Sequence, residues 1–242
     1  MRLTVATDAG TAARLAAEEV ARLAGEALSA RGRALLAFSG GETPWRMLEH
    51  LRRLAIDWPR VHVAQVDERI APAGDPRRNL TRLEALLANE GPLPRANLHP
   101  MPVEERPVEA AADGYARSLQ AAFGYPLRFD LVQLGLGADG HTASLLPGDA
   151  ALSVVDRDVA VTATPHEGLR RMTLTYPALD RARHRLWLVT GAQKAARLRE
   201  LLARTGDAPA VRVSPASSSV FTDLSANAEA PHAAAPLSRS DG

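Results

Sequence analysis

Asp130-Leu-Val-Gln-Leu-Gly135-Leu-Gly137-Ala-Asp139-Gly140-His141-Thr142-Ala-Ser144-Leu-Leu-Pro147-Gly148 is the stretch whose reading decides the fold of this chain. Leu131, Val132 and Leu134 make an apolar run of the kind a buried strand shows. The run empties into a loop carrying Gly135, Gly137 and Gly140. Glycine adopts positive φ without a Cβ clash, so such a loop turns sharply and brings backbone close to a ligand. Past the turn, Asp139, His141, Thr142 and Ser144 are presented together. A carboxylate and an imidazole just beyond the C-terminal end of a strand mark the place where α/β proteins put their chemistry.

Outward from this stretch, strand and helix patterns alternate. Leu3–Ala6, Ala34–Phe38, Val61–Val66, Phe129–Leu134, Val159–Thr162, Met172–Thr175 and Arg185–Val189 read as strands. Asp8 caps a helix whose apolar residues, from Ala12 through Val20 to Leu28, recur at three- and four-residue steps, with Gly32 as its stop. Pro44–Leu54, Leu80–Leu87, Val108–Phe123 and Ala192–Ala203 read as further helices. The alternation predicts an α/β fold: a largely parallel sheet with helices on both faces, Rossmann-like and doubly wound. We expect one domain over residues 1–227. Residues 228–242, rich in Ala, Pro and Ser, are expected to form a disordered tail.

Composition narrows the function. The chain has 242 residues, 46% hydrophobic and 24% charged, with a formal net charge of +1 and no cysteine. A near-neutral balance gives no electrostatic footprint for nucleic acid. The missing cysteines exclude disulfides, thiolate metal sites and a cysteine nucleophile. No apolar run approaches the roughly 18 residues of a membrane helix, and the N-terminus lacks a secretory h-region. The expectation is a cytoplasmic protein, a monomer or weak homo-oligomer, with no nucleic-acid or membrane partner.

A second glycine loop follows the strand Ala34–Phe38: Ser39-Gly40-Gly41-Glu42-Thr43-Pro44. Backbone N–H groups at a helix start, with hydroxyls nearby, form an anion site of the kind that holds phosphate; capping by Ser39 or Thr43 is the plainer alternative. It is not a nucleotide P-loop, because the Gly-Lys-Ser/Thr ending is missing. Gly135-Leu-Gly137-Ala-Asp-Gly140 spells G-x-G-x-x-G, but Pro147-Gly148 follows too soon for the helix a dinucleotide site needs. His166-Glu167 opens like a zinc helix and lacks the second His. His141 stands apart from the other histidines, since an imidazole pKa near ~6.5 suits a general base at neutral pH. Asp67-Glu68-Arg69 ends another strand on the same rim. Arg171 begins a strand, and Lys194 lies in the first turn of a helix after Gly191. A cation there is unfavourable to the helix dipole, and a bound phosphate would offset it.

Taken together, these segments resemble the 6-phosphogluconolactonase family. The resemblance rests on Ser39-Gly40-Gly41-x-Thr43-Pro44, Asp67-Glu68-Arg69, Asn79, the Gly135–Gly148 segment, Arg171-Met172-Thr173 and Gly191-x-x-Lys194. The related glucosamine-6-phosphate deaminases usually continue Gly-His with Ile-Ala-Phe-Asn-Glu-Pro, whereas this chain has Thr-Ala-Ser-Leu-Leu-Pro-Gly. Glu42 replaces the family's usual Ser and is expected to project outward. The resemblance implies hydrolysis of a small-molecule sugar-phosphate lactone without cofactor or metal. It implies His141, Asp139, Asp67 and Arg69 as catalytic residues. Ser39, Gly40, Gly41, Thr43, Arg171 and Lys194 would bind the phosphate. A deaminase/isomerase using Asp67 as base and a non-catalytic sugar-phosphate sensor are the rival readings.

Overall fold

The computed structural model describes residues 1–227; the tail expected from residue 228 lies outside the described residues. Ten strands are present among them: β1 (Arg2–Ala6), β2 (Ala34–Phe38), β3 (Val61–Gln65), β4 (Asp67–Arg69), β5 (Leu98–His99), β6 (Leu131–Leu134), β7 (Val159–Val161), β8 (Arg171–Leu174), β9 (Arg185–Val189) and β10 (Ser218–Asp223). Seven of them form one sheet in the order β1-β10-β9-β6-β2-β3-β5. All of its pairings are parallel.

Both faces of this sheet are covered, which is why its strands read as unbroken apolar runs rather than alternating ones. Leu36, Phe38, Val63, Leu131, Leu186 and Phe221 point into one core; Leu35, Ala37, Val132, Leu134, Trp187 and Val220 point into the other. The helices α1 (Ala9–Arg31) and α2 (Glu42–Leu51) pack in the first core. The long helix α1 presents a buried stripe of small residues (Ala12, Ala13, Ala16, Ala17, Val20, Ala24), so it can lie close to the strands. Its ends are as read: Asp8 accepts from Thr11 N at 2.8 Å, and Gly32 terminates it with φ +74°. The helices α3 (Asn79–Leu83), α4 (Val108–Phe123), α5 (Tyr176–Arg181) and α6 (Ala195–Ala203) complete the layers, α4 facing the second core.

The chain runs from β2 through β3 to β5 at one edge, then returns to β6 and continues through β9 to β10 in the other direction. Strand order therefore reverses between β2 and β6, which lie side by side with Leu36 opposite Leu131. Connections leaving two such strands diverge to opposite faces of the sheet and open a crevice at the strands' C-terminal ends. The two glycine-rich loops are the connections that leave β2 and β6.

Two strand expectations, Val159–Thr162 and Met172–Thr175, belong elsewhere. As β7 and β8 they form a separate antiparallel sheet with β4. The polar triplet Asp67-Glu68-Arg69 looks like a charged turn in sequence, yet it is a strand. Alternation explains it: Asp67 and Arg69 share one face, in register with Thr173 and Arg171, while Glu68 points to the other. The strand β10 was also not apparent, because Ser218 and Ser219 dilute its apolar signal. It nonetheless lies inside the sheet, between β1 and β9.

Candidate active site

The crevice holds a cavity of about 540 Å³. Every residue expected at the site except Asp139 lines it, and Asp139 reaches it through His141. The positions come from four places in the fold: Ser39–Thr43 after β2, the Gly135–His141 loop after β6, the β4/β8 ladder, and the turn Gly191–Lys194 after β9.

His141 and Asp139 form a hydrogen-bonded pair at the cavity. The imidazole Nδ1 lies 2.6 Å from Asp139 Oδ1, and the same oxygen accepts from the His141 backbone N–H at 3.1 Å. Gly137 makes this possible. A Cβ at residue 137 would lie 2.2 Å from His141 Nδ1 and 2.4 Å from Asp139 Oδ1, so only glycine leaves room for the pair. Gly140, at φ +91°, turns the chain and packs against Ala208, whose Cβ would be 2.6 Å from an added side chain. With Nδ1 engaged by the carboxylate, Nε2 is the ring nitrogen left without a protein partner among the described residues. Burial holds the His141 pKa below the ordinary 6.5, with the charges of Asp139 and Asp67 opposing that shift. Burial works against the Asp139 charge too, but hydrogen bonds from His141 outweigh it and keep the carboxyl below its usual range. At neutral pH the pair is therefore a neutral imidazole held by a carboxylate. His166, rejected above as a zinc ligand, packs its ring edge-on against His141 at 5.6 Å. No local pattern in the sequence signals that contact.

Asp67 is buried and accepts from Ser144 Oγ at 2.6 Å. Asn79 links it to Arg69: its Nδ2 donates to Asp67 O at 2.9 Å, and its Oδ1 accepts from Arg69 Nη1 at 3.0 Å. Gly40 is what lets Asn79 approach, since a Cβ there would fall 1.9 Å from Asn79 Oδ1. Glu68, fully buried, is a scaffold group. Its two oxygens accept from Asn79 N and Leu80 N, each at 2.8 Å, at the start of α3, and Arg78 lies alongside at 3.5 Å.

Ser39 and Thr43 differ from the expectation in one respect. The Ser39 hydroxyl donates to Gln133 O at 3.0 Å, tying β2 to β6, and Thr43 Oγ1 pairs with Thr190 Oγ1 at 2.7 Å. Neither caps α2, whose N-cap is Gly41 with no side-chain hydrogen bond. The loop therefore offers the cavity backbone N–H groups at a ten-residue helix rather than free hydroxyls. Glu42 does project outward, exposed and paired with Arg46 at 2.6 Å. Lys194 ends a 3₁₀ turn (Ala192–Lys194) that leads into α6. Burial lowers its pKa, and Asp139 pulls the other way. Arg171 is almost wholly buried, and its Nη2 donates to Glu167 Oε2 at 2.8 Å. Asp223, at the end of β10, anchors the Lys194 turn by accepting from Gly191 N at 3.1 Å. Among the described residues, no three His, Cys, Asp or Glu side chains converge to hold a metal ion.

The family profile described as glucosamine-6-phosphate isomerases/6-phosphogluconolactonase matches residues 7–222. The chain belongs to that family. A 6-phosphogluconolactonase of Synechocystis is 39% identical over 75% of this chain and 77% of its own. The crystal structure of 6-phosphogluconolactonase from Thermotoga maritima superposes with a TM-score of 0.82 at 27% identity, covering 92% of this chain and 98% of that one. A monomeric glucosamine-6-phosphate deaminase matches at a TM-score of 0.81 with 18% identity, over 94% of this chain and 99% of its own. The fold is thus shared with a deaminase as well as with a lactonase.

Proposed function

We propose that this chain hydrolyses 6-phospho-D-glucono-1,5-lactone to 6-phospho-D-gluconate, a step of the oxidative pentose phosphate route, with His141 as general base. The observation that carries this reading is the Asp139–His141 pair set by Gly137 at the crevice, within the same cavity as Arg171 and Lys194. His141 Nε2 takes a proton from water as its oxygen bonds to C1 of the lactone. The tetrahedral intermediate then collapses by breaking the C1–ring-oxygen bond, and the imidazolium returns the proton to that oxygen. Asp139 fixes the tautomer and ring orientation, and with Asp67 it stabilises the imidazolium. The substrate phosphate rests on the backbone of Gly40, Gly41 and Thr43, between Arg171 and Lys194. Arg69, opposite Arg171 in register, adds positive charge to that wall. Binding energy at the phosphate positions the distant carbonyl.

The deaminase alternative requires Asp67 as a free base. Here its Oδ2 accepts from Ser144, a residue of the Thr-Ala-Ser-Leu-Leu-Pro-Gly segment in which this chain differs from deaminases. No described helix is long and apolar enough to cross a membrane. We read the chain as a cytoplasmic monomer or weak homo-oligomer. Parallel assays decide the activity: release of acid from the phosphorylated lactone, corrected for spontaneous hydrolysis, against ammonia release from glucosamine 6-phosphate. Turnover of the second substrate alone would reverse the assignment.

A further inference from the structure

The β7–β8 hairpin carries a group that neither the proposed chemistry nor the phosphate site uses. Its tip is the turn His166-Glu167-Gly168-Leu169, closed by a bridge between His166 and Leu169, with Glu167 at φ +53° and Gly168 at φ +79°. A non-glycine residue in that region is uncommon. Glu167 is 73% exposed, yet its carboxylate reaches in to the buried Arg171 guanidinium. It is the only carboxylate paired with Arg171 among the described residues. Arg171 stands directly opposite Arg69 on the β4/β8 ladder, where like charges repel; the charge of Asp67 and the Glu167 carboxylate oppose that repulsion, and among the described residues the Arg69 guanidinium donates only to the neutral acceptors Arg77 O and Asn79 Oδ1. The Nε atoms of both arginines are buried with no hydrogen-bond partner. Beneath the tip lies a recess of about 160 Å³ lined by Arg69, Arg77, Glu167 and Arg171, and both Arg69 and Arg171 also face the main cavity.

We propose that Glu167 is a built-in competitor at the phosphate site: its carboxylate occupies Arg171 as an internal anion and yields it to the phosphate of the substrate. The inference rests on the reading of Arg171 as a phosphate ligand. A dianionic phosphate beside an unmoved carboxylate is repelled, whereas a carboxylate on an exposed tip is released at small cost. Displaced, it remains near Arg77, which lines the same recess and is itself paired with Asp75. The cost falls on phosphorylated ligands alone. A ligand without phosphate leaves Glu167 in place, while a phosphorylated one must displace it.

The test uses Glu167→Gln and Glu167→Ala, assayed on the phosphorylated lactone and on gluconolactone, with inorganic phosphate as a competitive inhibitor. Removing the competing anion should lower KM for the phosphorylated lactone and Ki for phosphate by about two- to fivefold, the scale of one exposed ion pair. kcat should stay within about twofold, because the reacting carbonyl is not touched. An unchanged or raised KM and Ki in both variants would overturn the proposal and make Glu167 a strut for Arg171. Arg171→Ala, assayed in parallel, separates this failure from failure of the phosphate reading. If it weakens both lactones by the same factor, the phosphate assignment is wrong and the Glu167 proposal falls with it. If it weakens the phosphorylated lactone more and the Glu167 variants do not tighten binding, only the Glu167 proposal falls.

Discussion

The loop Ser39–Thr43 leaves β2 and the loop Gly135–His141 leaves β6, strands that neighbour each other across the point where strand order reverses. Both loops are rich in glycine and both line the cavity, but they are built for different tasks. The first opens directly into α2, and its hydroxyls are engaged by Gln133 and Thr190, so backbone N–H groups are what remain to face a ligand. The second opens into no helix. Thr142 donates to Gly135 O at 2.9 Å and folds the segment back on itself, which leaves Asp139 and His141 displayed as side chains. Helix N-termini hold anions without needing titratable groups, whereas proton transfer needs a positioned titratable side chain. On the proposed reading the pairing divides labour: one loop binds, the other does chemistry.

The comparison breaks first at His141. Replacement by Ala should lower kcat by roughly 10²–10⁴ with a smaller change in KM, the range expected for lost acid–base catalysis. A variant keeping more than about a third of wild-type kcat would take the chemistry away from this loop. Because burial holds the His141 pKa below 6.5, the neutral form of the wild-type imidazole predominates at and above that pH. Activity should persist below pH 6.5 and fall only as the ring becomes protonated on further acidification. The His141→Ala residual rate should lack that acid limb.

Gly137→Ala tests the same loop without removing a functional group. The added Cβ would sit within 2.4 Å of both His141 Nδ1 and Asp139 Oδ1, so one of them must move. A displacement on the order of 1 Å costs roughly 10²-fold in rate, and kcat should fall by about that factor while the folded circular-dichroism spectrum is retained. Near-normal turnover would show that the pair's geometry is not what matters.

The binding loop is sharpened by Lys194→Ala. Loss of a charge-assisted contact to phosphate should weaken binding of the phosphorylated lactone by ~1.5–3 kcal/mol. Gluconolactone is the control: equal impairment of both substrates would make Lys194 structural. The smallest effect is expected from Ser39→Ala. Its hydroxyl joins β2 to β6, so unfolding free energy should drop by about 1 kcal/mol, with KM close to wild type. A KM rise as large as that of Lys194→Ala would return the hydroxyl to the phosphate and erase the division between the loops.

The sequence alone determined the parallel sheet, the α1 boundaries at Asp8 and Gly32, the extent of α4 and of β9, and the two glycine loops. Hydrophobic period, capping chemistry and glycine all act within a few residues, so they are legible in a linear reading. His141 and its acidic neighbour were legible for the same reason, being two residues apart on one loop. Tertiary structure alone decided that Asp67-Glu68-Arg69 is a strand, that Arg69 faces Arg171, that Asn79 bridges Asp67 to Arg69, and that His166 and Glu167 reach His141 and Arg171. It also decided that the Ser39 hydroxyl donates to Gln133 O, between β2 and β6. These contacts join residues far apart in the chain or across a hairpin turn, and no local pattern encodes their partners. They form because buried polar and charged groups must be paired once the sheet and its helices have closed over them.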